Sequence, residues 1–122
     1  MTSLKSYQDL EVWKKSMELA EMVYRISAQF PPEERFGITG QVRRSVVSIA
    51  ANIAEGAERQ GPREYLNFLG IASGSLAETE TFLLLAVRLR MVREEQVKPL
   101  LAQASEVGRM LNGLKRSLRS RA

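Results

Sequence analysis

The sequence predicts an all-α protein, an antiparallel up-down four-helix bundle that assembles as a homo-oligomer. Three observations carry that expectation. Apolar residues recur at alternating steps of four and three along nearly the whole chain, a mean step near 3.5 that marks the seam of a left-handed helix bundle. Proline and glycine clusters cut that pattern into four segments. No stretch alternates apolar and polar residues with the period of a strand. A chain of 122 residues is one domain by length, so 1–122 is read as a single unit.

The first helix is expected over about 8–29, ending before Pro31 and Pro32, with Trp13, Met17, Ala20, Tyr24 and Ser27 on its seam. The second runs over about 39–58, with Thr39 as its N-cap and Val42, Val46, Ile49, Ile53 and Gly56 facing inward. The third, about 62–90, opens on Gly61-Pro62, where proline suits the first helical turn. Its seam is Tyr65, Leu69, Ala72, Leu76, Thr79, Phe82 or Leu83, and Ala86. It is the longest, on the order of 40 Å at 1.5 Å per residue. The fourth covers about 94–118 with Leu100, Ala104, Val107, Leu111, Leu114 and Leu118. Pro99 lacks the donor for a bond to Glu95, so it lies close to the true start or at a kink. A short turn between the third and fourth helices forces them antiparallel.

Composition narrows the function. Hydrophobic residues are 44% and charged residues 26%, an ordinary balance for a soluble domain. The absence of cysteine rules out a disulfide framework and fits a reducing, cytoplasmic location. MTSLKSYQDLEVWKK has no apolar signal core, and the longest apolar run, FLLLAV at 82–87, is too short to span a bilayer, so no membrane partner is expected. The absence of histidine matters most for chemistry. It removes the usual general base, the Glu-x-x-His pairs of di-iron bundles and every His-containing nucleophile arrangement. No phosphate-binding glycine loop is present. No catalytic residue, metal ligand or cofactor is therefore assigned. Hydrolysis on Glu55 and Glu78 lacks a cooperating base.

The stretch SIAANIAEGAER at 48–59 breaks the apolar rule. Beside the seam of the second helix runs a polar stripe, Gln41, Ser45, Ser48, Asn52, Glu55 and Arg59. The third helix carries a small-residue stripe, Asn67, Gly70, Gly74, Ala77 and Thr81. Glycine costs a helix interior about 1 kcal/mol relative to alanine, so two of them one turn apart point to another backbone passing close by. One reading is a tight contact between helices two and three, with Asn52 and Glu55 half-exposed beside it. The other is a buried polar network at a subunit boundary, where Glu55 would need a basic or hydroxyl partner. Arg44 lies roughly 16 Å from Glu55 along the helix, so that pairing would have to cross helices or chains.

Self-association is expected from the third helix. TFLLLAVRL is apolar nearly all round, and Phe82, Leu84 and Leu85 cannot all face one core. The net charge of +4 mildly favours a polyanionic partner. Basic residues gather at Arg109, Lys115, Arg116, Arg119 and Arg121, at Arg43-Arg44, and at Arg88, Arg90 and Arg93. The tail reads either as helix-end cations complementing the macrodipole or as a phosphate-contacting surface repeated around a ring. With little aromatic interleaving near these arginines, base stacking is not expected.

DLEVWKKSMELA, FPPEERFGITGQVRRSVVSIAANIAEGAER and GPREYLNFLGIASGSLAETET resemble the 23S ribosomal RNA intervening-sequence proteins, a bacterial four-helix bundle family. The resemblance runs from about Tyr7 to Leu118. Its recurring positions fall on Leu10, Trp13, Gln41, Arg44, Ser48, Asn52, Ile53, Glu55, Gly56, Arg59, Phe68, Ser75, Leu76 and Glu78. It implies a homopentamer with no established enzymatic activity, in a family named for gene location. It also implies that relatives of the fold act as accessory factors to reverse transcriptases in diversity-generating retroelements, where a basic barrel contacts nucleic acid. Where Pro62 stands the family often has a basic residue, which leaves Arg59 and Arg63 as the cations of that turn.

The expected function is thus that of a non-enzymatic oligomer binding the backbone of RNA or DNA, or a nucleic-acid-handling partner such as a reverse transcriptase. The alternative is a protein-docking scaffold without nucleic-acid contact. The expected nucleic-acid contacts are Arg43, Arg44, Arg59, Arg63, Lys115, Arg116 and Arg119. The polar network is Ser48, Asn52, Glu55, Ser75 and Glu78. The interface between copies is Gly70, Gly74, Phe82, Leu84 and Leu85.

Overall fold

A computed structural model describes residues 6–121. Among them the chain is all-α, with helices α1 (Glu11–Ser27), α2 (Ile38–Ala57), α3 (Pro62–Arg88) and α4 (Glu94–Arg119) and no strand. Single 3-10 turns at Tyr7–Asp9 and Pro32–Glu34 lead into α1 and α2. Each helix packs on two others: α2 most extensively on α3, α3 on α4, and α1 on both α2 and α4.

The core follows the 3.5-residue period. Val42, Val46, Ile49 and Ile53 of α2 are fully enclosed, as are Leu69, Ala72, Thr79, Leu83 and Ala86 of α3 and Ala104, Val107 and Leu111 of α4. Enclosing a large aliphatic side chain is worth about 1.5–3 kcal/mol, so these rows supply most of the driving force. Tyr65, Phe82 and Leu114, expected on the same seams, are half-buried at its rim.

In α1 the expected stripe is out of phase. Its buried residues are Val12, Ser16, Leu19, Val23, Ile26 and Ser27. The steps are the same four and three, but from Val12 to Ile26 the row is one residue, or about 100°, away from Trp13, Met17, Ala20 and Tyr24. Met17 and Tyr24 are 43% and 45% exposed. Bulky amphipathic aromatics drew the sequence reading, whereas compact aliphatics fill the centre. Trp13 packs against the core from the side and meets Tyr7 edge-on at 5.4 Å. Ser16 fits inside because its Oγ donates to the Val12 carbonyl at 2.7 Å.

The helix ends differ from expectation in two places. Thr39 is not the N-cap of α2. The helix starts at Ile38 after Gly37, and the Glu34 carboxylate accepts from the Ile38 N–H at 3.2 Å. Pro99 lies inside α4, one turn past its start, and the helix continues through it. The end of α3 is closed by Arg90 in the left-handed region (φ 61°), with the Met91 N–H donating back to the Ala86 carbonyl at 2.9 Å. Gln96 accepts from the Arg93 N–H at 2.9 Å and so secures the start of α4. By length and composition α3 is long and apolar enough to cross a membrane, a property FLLLAV taken alone does not reveal. Its inward face is built into the bundle core.

Candidate nucleic-acid interface and the polar seam between α2 and α3

The polar stripe of α2 meets α3 as a ladder of short side chains. The Ser45 and Thr79 hydroxyls lie 2.8 Å apart, and each also reaches a carbonyl one turn back, Val42 and Ser75. Ser75 Oγ donates to Ser48 Oγ at 2.8 Å. Asn52 Nδ2 donates to Ser48 Oγ at 2.9 Å and to the Ser48 carbonyl at 2.8 Å. Among the described residues no buried side-chain nitrogen or oxygen lacks a partner. A ladder satisfied in this way fixes the register of the two helices without leaving a desolvated polar group. Below it Gly56 lets α3 approach: a Cβ there would lie 2.9 Å from both Phe68 Cβ and Tyr65 Cδ1.

Two expected members of the network stand outside it. Glu78 is exposed and makes no hydrogen bond or ion pair among the described residues. Glu55 is half-exposed and pairs along its own helix with Arg59 at 2.7 Å, one turn on, rather than across helices. The reason is geometric: on α2 the contact with α3 passes through Ser45, Ser48 and Gly56, which turns Glu55 outward. Ser45 and Thr79, which complete the ladder, were legible as the residues one turn before Ser48 and after Ser75. An exposed i,i+4 pair is worth at most about 1 kcal/mol. Glu55→Gln is therefore expected to shift unfolding by less than that in a thermal melt, whereas a loss near 3 kcal/mol would place the pair in a dry interface.

The proposed cation set divides between two ends of the bundle. At one end lie the α2–α3 turn and the end of α4. Arg63 and Arg121 share a shallow cleft of about 350 Å³ with Gln60, Gly61, Pro62 and Glu64. Arg63, Arg116 and Arg119 are exposed and form no ion pair among the described residues. Lys115 is half-buried and donates to Ser73 Oγ. Burial, with Arg119 adding to it, holds its pKa below the usual lysine value. Desolvation likewise raises the Tyr65 hydroxyl, partly offset by Arg121. Arg59 is engaged by Glu55 and by the Phe68 ring, 4.9 Å from its centroid.

At the other end, about 21 Å along α2 from its last residue, Arg43 is already engaged by the fold. Its Nε donates to Ser27 Oγ at 2.8 Å, its Nη2 donates to the Tyr24 carbonyl at 3.2 Å, and its guanidinium lies 4.6 Å from the Tyr24 ring. It caps the end of α1 and ties it to α2. Arg44 is exposed and donates to Gln41 at 3.1 Å.

The outer face of α3 is unpartnered among the described residues. A Cβ on Gly70 or Gly74 would meet nothing within 4 Å, so neither glycine serves the α2–α3 contact. Ile71, beside them, and Leu84 and Leu85, further along the same helix, are 46%, 51% and 38% exposed. Phe82, by contrast, packs against the core. Glu80, half-buried and unpaired, is raised above the usual carboxylate range by desolvation. Among the described residues no three His, Cys, Asp or Glu side chains gather as a metal ion would require.

The family model for the 23S rRNA-intervening sequence protein matches residues 8–113. The chain belongs to that family. This intervening-sequence family member also resembles, at 29% identity and a TM-score of 0.76, a crystal structure of a protein of unknown function from the S23 ribosomal protein family of Bacteroides thetaiotaomicron. That likeness covers 85% of this chain and 97% of the other. No curated protein matches it.

Proposed function

We propose that this intervening-sequence family member is a non-enzymatic, cytoplasmic bundle of antiparallel up-down helices that associates with copies of itself and binds the phosphate backbone of RNA or DNA, directly or beside a nucleic-acid-handling partner such as a reverse transcriptase. The antiparallel course is supported by the α2–α3 ladder, where partners ascend on one helix as they descend on the other: Ser45 with Thr79, Ser48 with Ser75, Gly56 with Phe68. Self-association is supported by the open outer face of α3. A pentamer is the number the family resemblance implies.

The observation that carries the nucleic-acid reading is the unmatched cation group at one end. Arg63, Arg116 and Arg119 have no acid partner among the described residues, and they share that end with the N-terminus of the 27-residue α3. Helix N-termini and free guanidinium groups both favour phosphate. Repetition around a ring multiplies a modest charge into a strong collective field. Such contacts position a backbone and carry little sequence preference.

Filter retention of labelled RNA over a salt series tests this with an R63A/R116A/R119A variant. These three side chains are exposed, so the fold is expected to persist. Each lost phosphate contact is expected to lower the log–log salt slope by about 0.7–0.9. No retention by the wild type at low salt, or an unchanged slope in the variant, overturns backbone binding. The open face of α3 would then support the protein-docking scaffold as the better reading.

A further inference from the structure

Phe36 is the most exposed large apolar side chain among the described residues, at 87%. Its exposure does not come from a loose loop. The segment from Pro31 to Gly37 is held between two buried anchors, Phe30 and Ile38. Glu34 N–H donates to the Pro31 carbonyl at 2.9 Å, Arg35 N–H to Pro32 at 3.1 Å and Gly37 N–H to Glu34 at 2.9 Å. The Glu34 side chain takes the Ile38 N–H, and Pro31 and Pro32 fix two φ angles. The first turn of α2 presses on the same loop: a Cβ on Gly40 would lie 2.9 Å from the Arg35 carbonyl. A loop constrained at so many points points Phe36 outward as a fixed feature. The Arg35 guanidinium lies 5.1 Å from the centroid of its ring.

The surroundings select the kind of partner. A docking site for an apolar protein surface needs a contiguous apolar patch. Phe36 instead stands among Pro32, Glu33, Arg35 and Gly37. The α3–α4 connection lies at the same end of the bundle, where Gln96 donates to Gln29 at 3.0 Å. That connection brings Arg90 to an open cleft of about 590 Å³. Arg25, Arg35, Arg44, Arg88 and Arg90 form no ion pair among the described residues, while of the acids here Glu95 is paired with Arg93, leaving Glu33, Glu94 and Glu34, whose carboxylate accepts from the Ile38 N–H and keeps its charge. A lone planar ring in a net basic setting matches an unpaired base on a polyanion, since every base has a face to stack and a phosphate beside it.

We propose that Phe36 is a stacking platform for an unpaired nucleobase, with Arg35 as the flanking phosphate contact, so that this end of the bundle prefers single-stranded nucleic acid. The proposal deepens the nucleic-acid reading above and rests on it. It departs from the expectation that base stacking plays no part, which weighed the arginine groups of α2, of the α3 end and of α4 and left out the Arg35-Phe36 pair.

Fluorescence anisotropy decides it, with a labelled single-stranded oligouridylate and a duplex RNA of equal length as probes for the full chain. The expected result is tighter binding of the single strand by the wild type. Phe36→Ala is expected to weaken that binding about tenfold while leaving duplex binding and the light-scattering mass unchanged. Phe36→Trp is expected to keep the affinity, and its added indole emission, read over the Trp13 background, to quench as the oligonucleotide binds. Equal single-strand affinity for wild type and Phe36→Ala overturns the stacking role, as does a Phe36→Trp emission indifferent to the oligonucleotide. A reduced mass for Phe36→Ala also overturns it, because the ring would then lie between copies. If the wild type binds neither probe, this inference and backbone binding fall together. If it binds both equally, with the salt slope still dependent on Arg63, Arg116 and Arg119, the stacking site alone falls.

Discussion

Gly56→Val is expected to lower the free energy of unfolding by about 1–3 kcal/mol or more, while Gly70→Ala and Gly74→Ala each raise it by about 0.5–1 kcal/mol. The contrast follows from what each glycine faces. At Gly56 even a methyl group meets Phe68 and Tyr65 side-chain atoms at 2.9 Å, and the Tyr65 carbonyl oxygen at 3.3 Å. The Tyr65 ring can swing aside, but Phe68 Cβ and the Tyr65 carbonyl move only with α3 itself. Valine adds two further carbons in the same place. At Gly70 and Gly74 nothing stands in the way, so alanine brings only its helix preference. Urea titrations in the monomeric Leu84→Glu/Leu85→Glu background make the comparison, because self-association would otherwise enter the midpoint. If Gly56→Val unfolds at the wild-type midpoint, the close approach of α2 and α3 is not what the glycine provides.

The fold was legible wherever periodicity and burial coincide. In α2, α3 and α4 the aliphatic rows are both regular and central, so reading the 3.5-residue period places Ile49, Leu69 and Val107 inside. In α1 two rows one residue apart have the same spacing, and only packing tells them apart. There the period alone chose Tyr24 over Val23, although Val23 is the enclosed residue. The polar seam was half legible. Ser48, Asn52 and Ser75 were named, but a stripe of polar residues does not say where the facing helix stops. The hydrogen-bonded ladder ends at Asn52, the contact runs on through Gly56, and Glu55 between them turns outward to Arg59. The glycines show the opposite limit. Gly56, which looked like one more small residue on the seam, admits the closest approach, and the conspicuous Gly70 and Gly74 face outward. A sequence records that a helix lacks a side chain, and the neighbour that needs the space can lie in another chain.

A Leu84→Glu/Leu85→Glu double substitution is expected to abolish self-association and leave each bundle folded. Both side chains lie on the outer face of α3, half-exposed, about two to four turns along from Ile71, Gly74 and Ala77. The core beneath is made by Leu83 and Ala86, both fully enclosed and untouched by the change. Far-ultraviolet circular dichroism should therefore keep its helical signal. Two carboxylates on each copy desolvated against an apolar partner cost several kcal/mol, and the exposed Arg88, one turn further along α3, offsets only part of that. Light scattering at low micromolar concentration should read the mass of a single chain for the variant and a multiple of it for the wild type. Gly70→Ala with Gly74→Ala supplies the second arm. Stabilising the isolated bundle while weakening association is the signature of glycines kept for a neighbouring copy, since the two effects act on different surfaces. A monomeric wild type would remove self-association altogether. A variant that keeps the wild-type mass would move the contact to another face, leaving the exposed leucines of α3 to a partner of a different kind.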